Sequence, residues 1–204
     1  MIPNLPIFFT FYVLIFFSVL GYGIYFGKFF NKDSATLNLG YSGIIGIFFL
    51  ILYSYLSHFF ISHNYLHNTI LIVIGIVLFT LNFKSFFNNR YFIWLLIIFI
   101  FLFISLIIYK THDDFPYYHF PYTWYLTQKH MLIGTGQFNH GFRTPSSIFY
   151  LNSLFYLPLV KHFTFQIGAV LIMGFANLIL ITKIILRLEE KKIDYILFLS
   201  LLSF

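Results

Sequence analysis

The chain has no cysteine among its 204 residues. Disulfides, thiolate metal sites and cysteine nucleophiles are therefore excluded. Charge is almost as scarce: Asp, Glu, Lys and Arg together make up 9% of the residues, against about 25% in a soluble domain. Only 6 residues are acidic. No basic residue precedes Lys28, and no small-residue cleavage site follows a short apolar core. No secretory signal is read, and the first apolar segment is expected to be retained. None of the first four apolar stretches holds an ionisable residue deep inside it, which argues against an ion-coupled pump. There is no internal repeat and no low-complexity tail.

What is present is hydrocarbon. Hydrophobic residues make up 60% of the chain, and the mean hydropathy is +0.87. A water-soluble fold of this length could not hide so much apolar surface, so the solvent is lipid. Aromatics reach 24%, with 31 Phe and 16 Tyr, so no single aromatic residue stands out as a signal. The net charge of +6 does not point to nucleic acid, because the basic residues flank apolar segments, where lysine and arginine meet lipid headgroups.

A bilayer core needs about 20 apolar residues of helix. Five stretches approach that length: Leu5 to Phe26, Tyr41 to Phe60, Thr69 to Phe83, Phe92 to Tyr109 and Phe165 to Leu186. A sixth starts at Tyr195 and stops at Phe204, too short to span, so the chain reads as the N-terminal part of a longer protein. The expected fold class is all-α: a polytopic transmembrane helical protein with about five spanning helices, a truncated sixth, and interfacial helices in a long external loop. The loops after the first, third and fifth stretches carry Lys28, Lys32, Lys84, Arg90, Lys183, Arg187, Lys191 and Lys192, whereas ISHNYLHN after the second has no Lys or Arg. The positive-inside rule places those basic loops in the cytoplasm. The N-terminus and the long loop then lie outside it, at a bacterial inner or plasma membrane. Asn82, Asn177 and Ser105 are isolated polar groups expected to bond between helices.

The segment from Thr111 to Ser147 is a polar island. It holds two of the six acidic residues, Asp113 and Asp114, and four of the eight histidines, His112, His119, His130 and His140. Within it, Tyr122 to Ile133 lacks Gly and Pro and is expected to form a helix lying in the interface. Its apolar face would carry Tyr122, Tyr125, Leu126, Leu132 and Ile133, with the Lys129 amine snorkelling to water. Gly134, Gly136 and Gly141 follow, and Ser146-Ser147 makes a helix start. The next run, IFYLNSLFYLPLV, reads as a re-entrant or interfacial helix ending near Pro158.

Two adjacent carboxylates repel each other and gain from sharing a proton or a cation. Asp113 and Asp114 can take a proton from an attacking hydroxyl, or hold a divalent metal such as Mg or Mn against a phosphate. They can equally be a polar helix cap facing water. The histidine spacing matches no zinc-protease pattern, so His112 and His119 are read as hydrogen-bond donors or acids beside the aspartates. Arg143, just before a helix start, suits an anion, with Lys129 a weaker partner. His58, His63 and His67 are read as headgroup-level polar residues.

An apolar helix followed by Asp113-Asp114, Tyr117-Tyr118, Leu126, the Gly134-Thr135-Gly136 turn and the Phe149 to Pro158 segment resembles the first external loop of C-type glycosyltransferases. These are multi-spanning enzymes such as protein O-mannosyltransferases and lipid A aminoarabinose transferases. The likeness covers about a quarter of the chain. It implies that a sugar leaves a polyprenyl-phosphate or polyprenyl-diphosphate carrier on the outer membrane face and passes to a lipid, glycan or protein hydroxyl. Asp113 or Asp114 would be the catalytic base or would orient the acceptor, and Arg143 could face the carrier phosphate without matching a fixed family position. The chain departs from the pattern in that four apolar helices, not one, precede the acidic pair. A lipid-linked sugar transporter or flippase, a surface polysaccharide polymerase or ligase, and a membrane scaffold are the alternatives.

Overall fold

The computed structural model describes residues 4–30, 38–82, 90–108, 113–143, 146–191 and 195–202. Eight α-helices are described: α1 (Leu5–Phe30), α2 (Leu39–His58), α3 (Tyr65–Leu81), α4 (Phe92–Ile107), α5 (Phe120–Gln128), α6 (Ser147–Ser153), α7 (Ile167–Glu189) and α8 (Tyr195–Leu202). Among the described residues there is no strand, only an isolated bridge between Leu157 and Lys161. Helices are what an apolar chain must form where no water can satisfy its backbone.

Three segments are long and apolar enough to cross a membrane: α1 with 26 residues, α2 with 20, and α7 with its lead-in from His162, 28 residues. The other two stretches expected to span form α3, of 17 residues, and α4, of 16. At about 1.5 Å per residue both fall short of the roughly 30 Å of a bilayer core. The start of α3 lies earlier than the apolar run suggests, at Tyr65, because Asn64 caps it by accepting from the Leu66 and His67 amides.

α1 is the centre of the bundle, packed by α2 and α3, while α7 packs on α2 and α4. Tyr12 donates to Phe99 O of α4 and Tyr22 to Leu71 O of α3, both at 2.8 Å. Phe16 lies 4.2 Å from the Phe99 ring and 5.9 Å from that of Phe175. Where α1 crosses α3 the backbones touch: a Cβ on Gly21 would sit 1.9 Å from Gly75 O, so only glycine fits. Small residues allowing such close approach are the usual means of packing helices in lipid. Asn82 does bond between helices, accepting from Lys28 of α1, whereas Ser105 turns back onto Leu102 O of its own helix.

The two ends of the bundle differ. One carries the ion pairs, Arg90 with Glu189 at 3.0 Å and Arg187 with Glu190 at 3.2 Å. Lys32, Lys84 and Lys192 fall outside the described residues. The other end is capped by residues 113–143 and 146–166, seated on the α2–α3 hairpin.

That cap differs from the sequence expectation in two ways. α5 begins at Phe120, in register with a π-helical turn over Phe115–His119, and stops at Gln128 rather than Ile133. Its buried residues, Tyr122, Thr123, Leu126 and Thr127, face protein, while Ile133 is fully exposed. The face carrying Tyr122 and Leu126 packs inward on α6. The second difference concerns α6, which ends at Ser153, well before Pro158. The chain then turns back through the interior, and every residue from Phe149 to Leu157 is buried. This stretch is a protein-packed plug. Its non-helical backbone is tolerable because side chains satisfy it: Thr164 donates to Phe155 O at 2.6 Å, and Asn152 Oδ1 accepts from the Gly168 amide at 2.9 Å.

Candidate functional site

The acidic pair stands at the entry to the π-helical turn. Asp113 is exposed and Asp114 half-buried. Asp114 O accepts from the Tyr117 and Tyr118 amides at 3.2 and 3.1 Å, and its Oδ2 accepts from the Tyr118 hydroxyl at 3.3 Å. Desolvation and the adjacent Asp114 carboxylate hold the Tyr118 phenol above its ordinary value.

Local sequence explains the turn. Pro121 has no N–H to return to Tyr117 O four residues earlier, which is the usual damage of proline to a helix. Asn139 Nδ2 supplies a donor to that carbonyl at 3.2 Å, and Asn139 Oδ1 accepts from the Gly141 amide at 2.8 Å. Gly141 lies against Tyr118 so closely that a Cβ would come within 2.4 Å of the tyrosine Cβ. Arg143 Nε donates to Gly136 O at 3.1 Å and closes the same loop. The structure thus stitches the loop bearing Arg143 to the turn bearing Asp114. His119 packs between the rings of Tyr118, at 4.3 Å, and Phe149, at 5.0 Å. Lys129 is exposed and belongs elsewhere, since its carbonyl is held at the end of α2. His112 lies outside the described residues. The helix after Arg143 has seven residues, and Ser146 makes no side-chain cap bond, so the helix-start anion site expected there has little to build on.

Among the described residues no three His, Cys, Asp or Glu side chains converge on a point. The two aspartates alone suit only a cation such as Mg that takes its other ligands from water and a phosphate.

A second polar cluster, unforeseen as such, is buried beneath the cap. His58, His63 and Asn68 are 1%, 0% and 0% exposed, so the two histidines expected beside the outer loop are covered by protein. Asn68 Nδ2 reaches three carbonyls, those of His63 and Ser153 at 2.8 Å and Tyr156 at 3.0 Å. Its Oδ1 must then accept from His67 Nδ1, at 2.9 Å, leaving His67 Nε2 to accept from the Tyr53 hydroxyl at 2.8 Å. Ser153 donates to Tyr150 O at 2.7 Å, so it accepts from His63 Nδ1, also at 2.7 Å. The Ser57 hydroxyl, 3.3 Å from Ser54 O and 2.9 Å from His63 Nε2, then gives its proton to the nearer His63 nitrogen. This arrangement satisfies a neutral His63. Burial, and the neighbouring His58 and His67, lower its pKa from 6.5 to about 3. His58 Nε2 donates to Lys129 O at 3.0 Å, while its Nδ1 is buried without a hydrogen-bond partner.

Two backbone bonds complete the attachment: His63 N to Leu126 O and Met131 N to His58 O, each 2.9 Å. They explain why α5 ends at Gln128. The chain must extend at Lys129 for His58 to be gripped on both its ring and its carbonyl. The available signal is compositional: SHFFISHNYLHN, residues 57–68, is dense in Ser, His and Asn between two apolar helices.

The fold and site define a helical bundle with three segments able to cross a membrane, capped at one end by a loop that a histidine hairpin locks in place. Compared with known proteins, the chain matches no family model, no curated protein and no solved structure.

Proposed function

We propose that the protein is a membrane glycosyltransferase acting on a polyprenyl-phosphate-type sugar donor at the extracytoplasmic face. In this reading α3 and α4 also span, giving five crossings with the N-terminus and the cap outside. The observation that carries the reading is the position of Asp113 and Asp114. They are reachable from solvent, sit at the exit of an apolar helix, and lie on a turn joined to the loop of Arg143 through Tyr117, Tyr118 and Asn139.

One aspartate takes the proton from an acceptor hydroxyl of a lipid, glycan or protein. The hydroxyl oxygen attacks the anomeric carbon, and the bond from that carbon to the carrier phosphate oxygen breaks. Arg143, with Lys129 as a more distant cation, faces the phosphate that leaves, and His119 lines the approach. A divalent cation, where one takes part, would be held by the two aspartates and would offset charge on that phosphate.

Transfer from a labelled lipid-linked sugar pool, measured in membranes of cells making the protein, tests this. Asp113→Asn with Asp114→Asn is expected to lower transfer by about 100-fold or more with unchanged membrane insertion. Full transfer by the double variant rejects the assignment.

One observation favours a second reading, a lipid-linked sugar transporter: the broken, re-entrant Phe149–Leu157 segment lies against the buried His63 and Asn68. That reading expects the aspartate variant to keep its activity and His63→Leu to lose donor movement across the bilayer.

A further inference from the structure

The cap presents a compact apolar tip. Ile133 is fully exposed, Phe138 is 89% exposed, and Met131 and Leu132 are also exposed. Such residues at the end of a loop are ordinarily the first to be buried. The loop is nevertheless built to hold them out. Gly134 takes a left-handed φ of 89°, single 3-10 turns follow at Thr135–Gln137 and His140–Phe142, and Arg143 Nε and the Asn139 side chain close the segment.

The height of the tip follows from its attachment to the end of α2, where the His58 ring also holds Lys129 O. Met131 N donates to His58 O, the last residue of α2. α2 has 20 residues, about the 30 Å of a bilayer core, so its end marks the hydrocarbon boundary. The hairpin beside it, Phe59, Phe60 and Ile61, is exposed and apolar as well. Charge agrees. From Phe115 to Leu188 the sequence has no acidic residue, and Lys129 and Arg143 bracket the tip.

We infer that the 131–138 tip is a membrane wedge: Ile133 and Phe138 insert at the headgroup level of a bilayer containing anionic lipid, with Lys129 and Arg143 against the lipid phosphates. The wedge holds the cap, and with it the acidic turn, down on the membrane surface. The wedge shares Lys129 and Arg143 with the proposed function, and its insertion through Ile133 and Phe138 needs no step at Asp113 or Asp114.

The absence of native cysteine makes the test direct. Ile133→Cys and Phe138→Cys, each carrying a polarity-sensitive fluorophore, are placed in nanodiscs of phosphatidylcholine with or without phosphatidylglycerol. The expected result is blue-shifted emission, quenched more strongly by lipids with a nitroxide near the headgroup than by aqueous acrylamide, with the difference enlarged about twofold by phosphatidylglycerol. Efficient acrylamide quenching with no effect of nitroxide lipid overturns the wedge. Protection from both quenchers overturns it too, because a protein surface would then cover the tip. Equal behaviour in the two lipid mixtures overturns the anionic contact.

Discussion

Two polar regions share one end of this molecule, and they are built on opposite principles. The acidic turn faces outward: Asp113 is exposed, and the half-buried Asp114 carboxylate accepts from the Tyr118 hydroxyl at 3.3 Å. The histidine hairpin is dry. Asn68 shares its two N–H among three carbonyls, His63 uses both ring nitrogens, and His67 does the same. Polar groups placed in a low-dielectric interior cost several kcal/mol when unpaired and become rigid anchors when paired. Residues that do chemistry must keep part of their valence open. The difference separates what holds the cap from what the cap offers.

The largest expected effect comes from breaking the dry region at its centre. Asn68→Leu keeps the volume and removes the two N–H shared among His63 O, Ser153 O and Tyr156 O, together with the acceptor of His67 Nδ1. Ser153 O keeps the Tyr156 amide, so two carbonyls and one ring N–H lose a partner; at about 1 kcal/mol each, a loss of about 3 kcal/mol is expected. Chemical unfolding in detergent measures it, and limited proteolysis should show the cap cut before the bundle. A variant as stable as the parent would mean that water replaces the amide.

Gly75→Ala tests the bundle without touching the cap. The added methyl would lie 2.0 Å from Ser18 Oγ and 2.7 Å from Ser18 O, forcing α1 and α3 apart at about 1–3 kcal/mol. Here the cap should resist protease as before while global melting falls, the reverse order from Asn68→Leu.

Acid sharpens the comparison further. His63 is neutral when folded, with its pKa lowered from 6.5 to about 3. Below pH 6.5 the unfolded chain binds a proton that the folded chain refuses. Stability is therefore full above that value and falls as pH drops from about 6.5 toward about 3, by about 1.4 kcal/mol per pH unit. His58 is buried and His67 partly so, and both also take up protons when the chain unfolds in acid. Melting followed from pH 7.5 to 5 should therefore fall at least this steeply, and His63→Gln should remove the His63 share of the slope. An unchanged slope in the variant would assign the proton uptake to other groups.

The same contrast explains what the sequence made legible. The long apolar helices could be read because run length alone decides whether a segment is helical in lipid. Asp113 and Asp114 could be read because scarcity made them conspicuous. The end of α5 at Gln128 could not, since it is set by His58, more than 70 residues earlier in the chain, gripping Lys129. Nor could the role of His63, whose partner Ser153 is 90 residues away. Periodicity marks Tyr122 and Leu126 as one apolar face but cannot say whether lipid or protein covers it. Here Phe149 and Tyr150 do. Composition likewise ranks Thr69–Phe83 and Phe92–Tyr109 with the spans, but it does not fix helix ends, and α3 and α4 are shorter than the three segments long enough to cross.

The smallest expected effect on stability belongs to the acidic turn. In Asp113→Asn with Asp114→Asn, the new amide's carbonyl at position 114 can still accept from Tyr118, and the Asp114 backbone bonds to the Tyr117 and Tyr118 amides are untouched. Replacing surface carboxylates of this kind changes stability by about 0.5 kcal/mol or less. Melting of the double variant should therefore match the parent, while sugar transfer falls. A melting loss comparable to that of Asn68→Leu would make the aspartates a structural cap of the π-helical turn, because a group that reacts with substrate need not hold the fold. Unchanged melting with unchanged transfer would remove both roles and leave the pair as a hydrated rim. Only the split outcome, intact fold and lost transfer, fits carboxylates that take the proton of an acceptor hydroxyl.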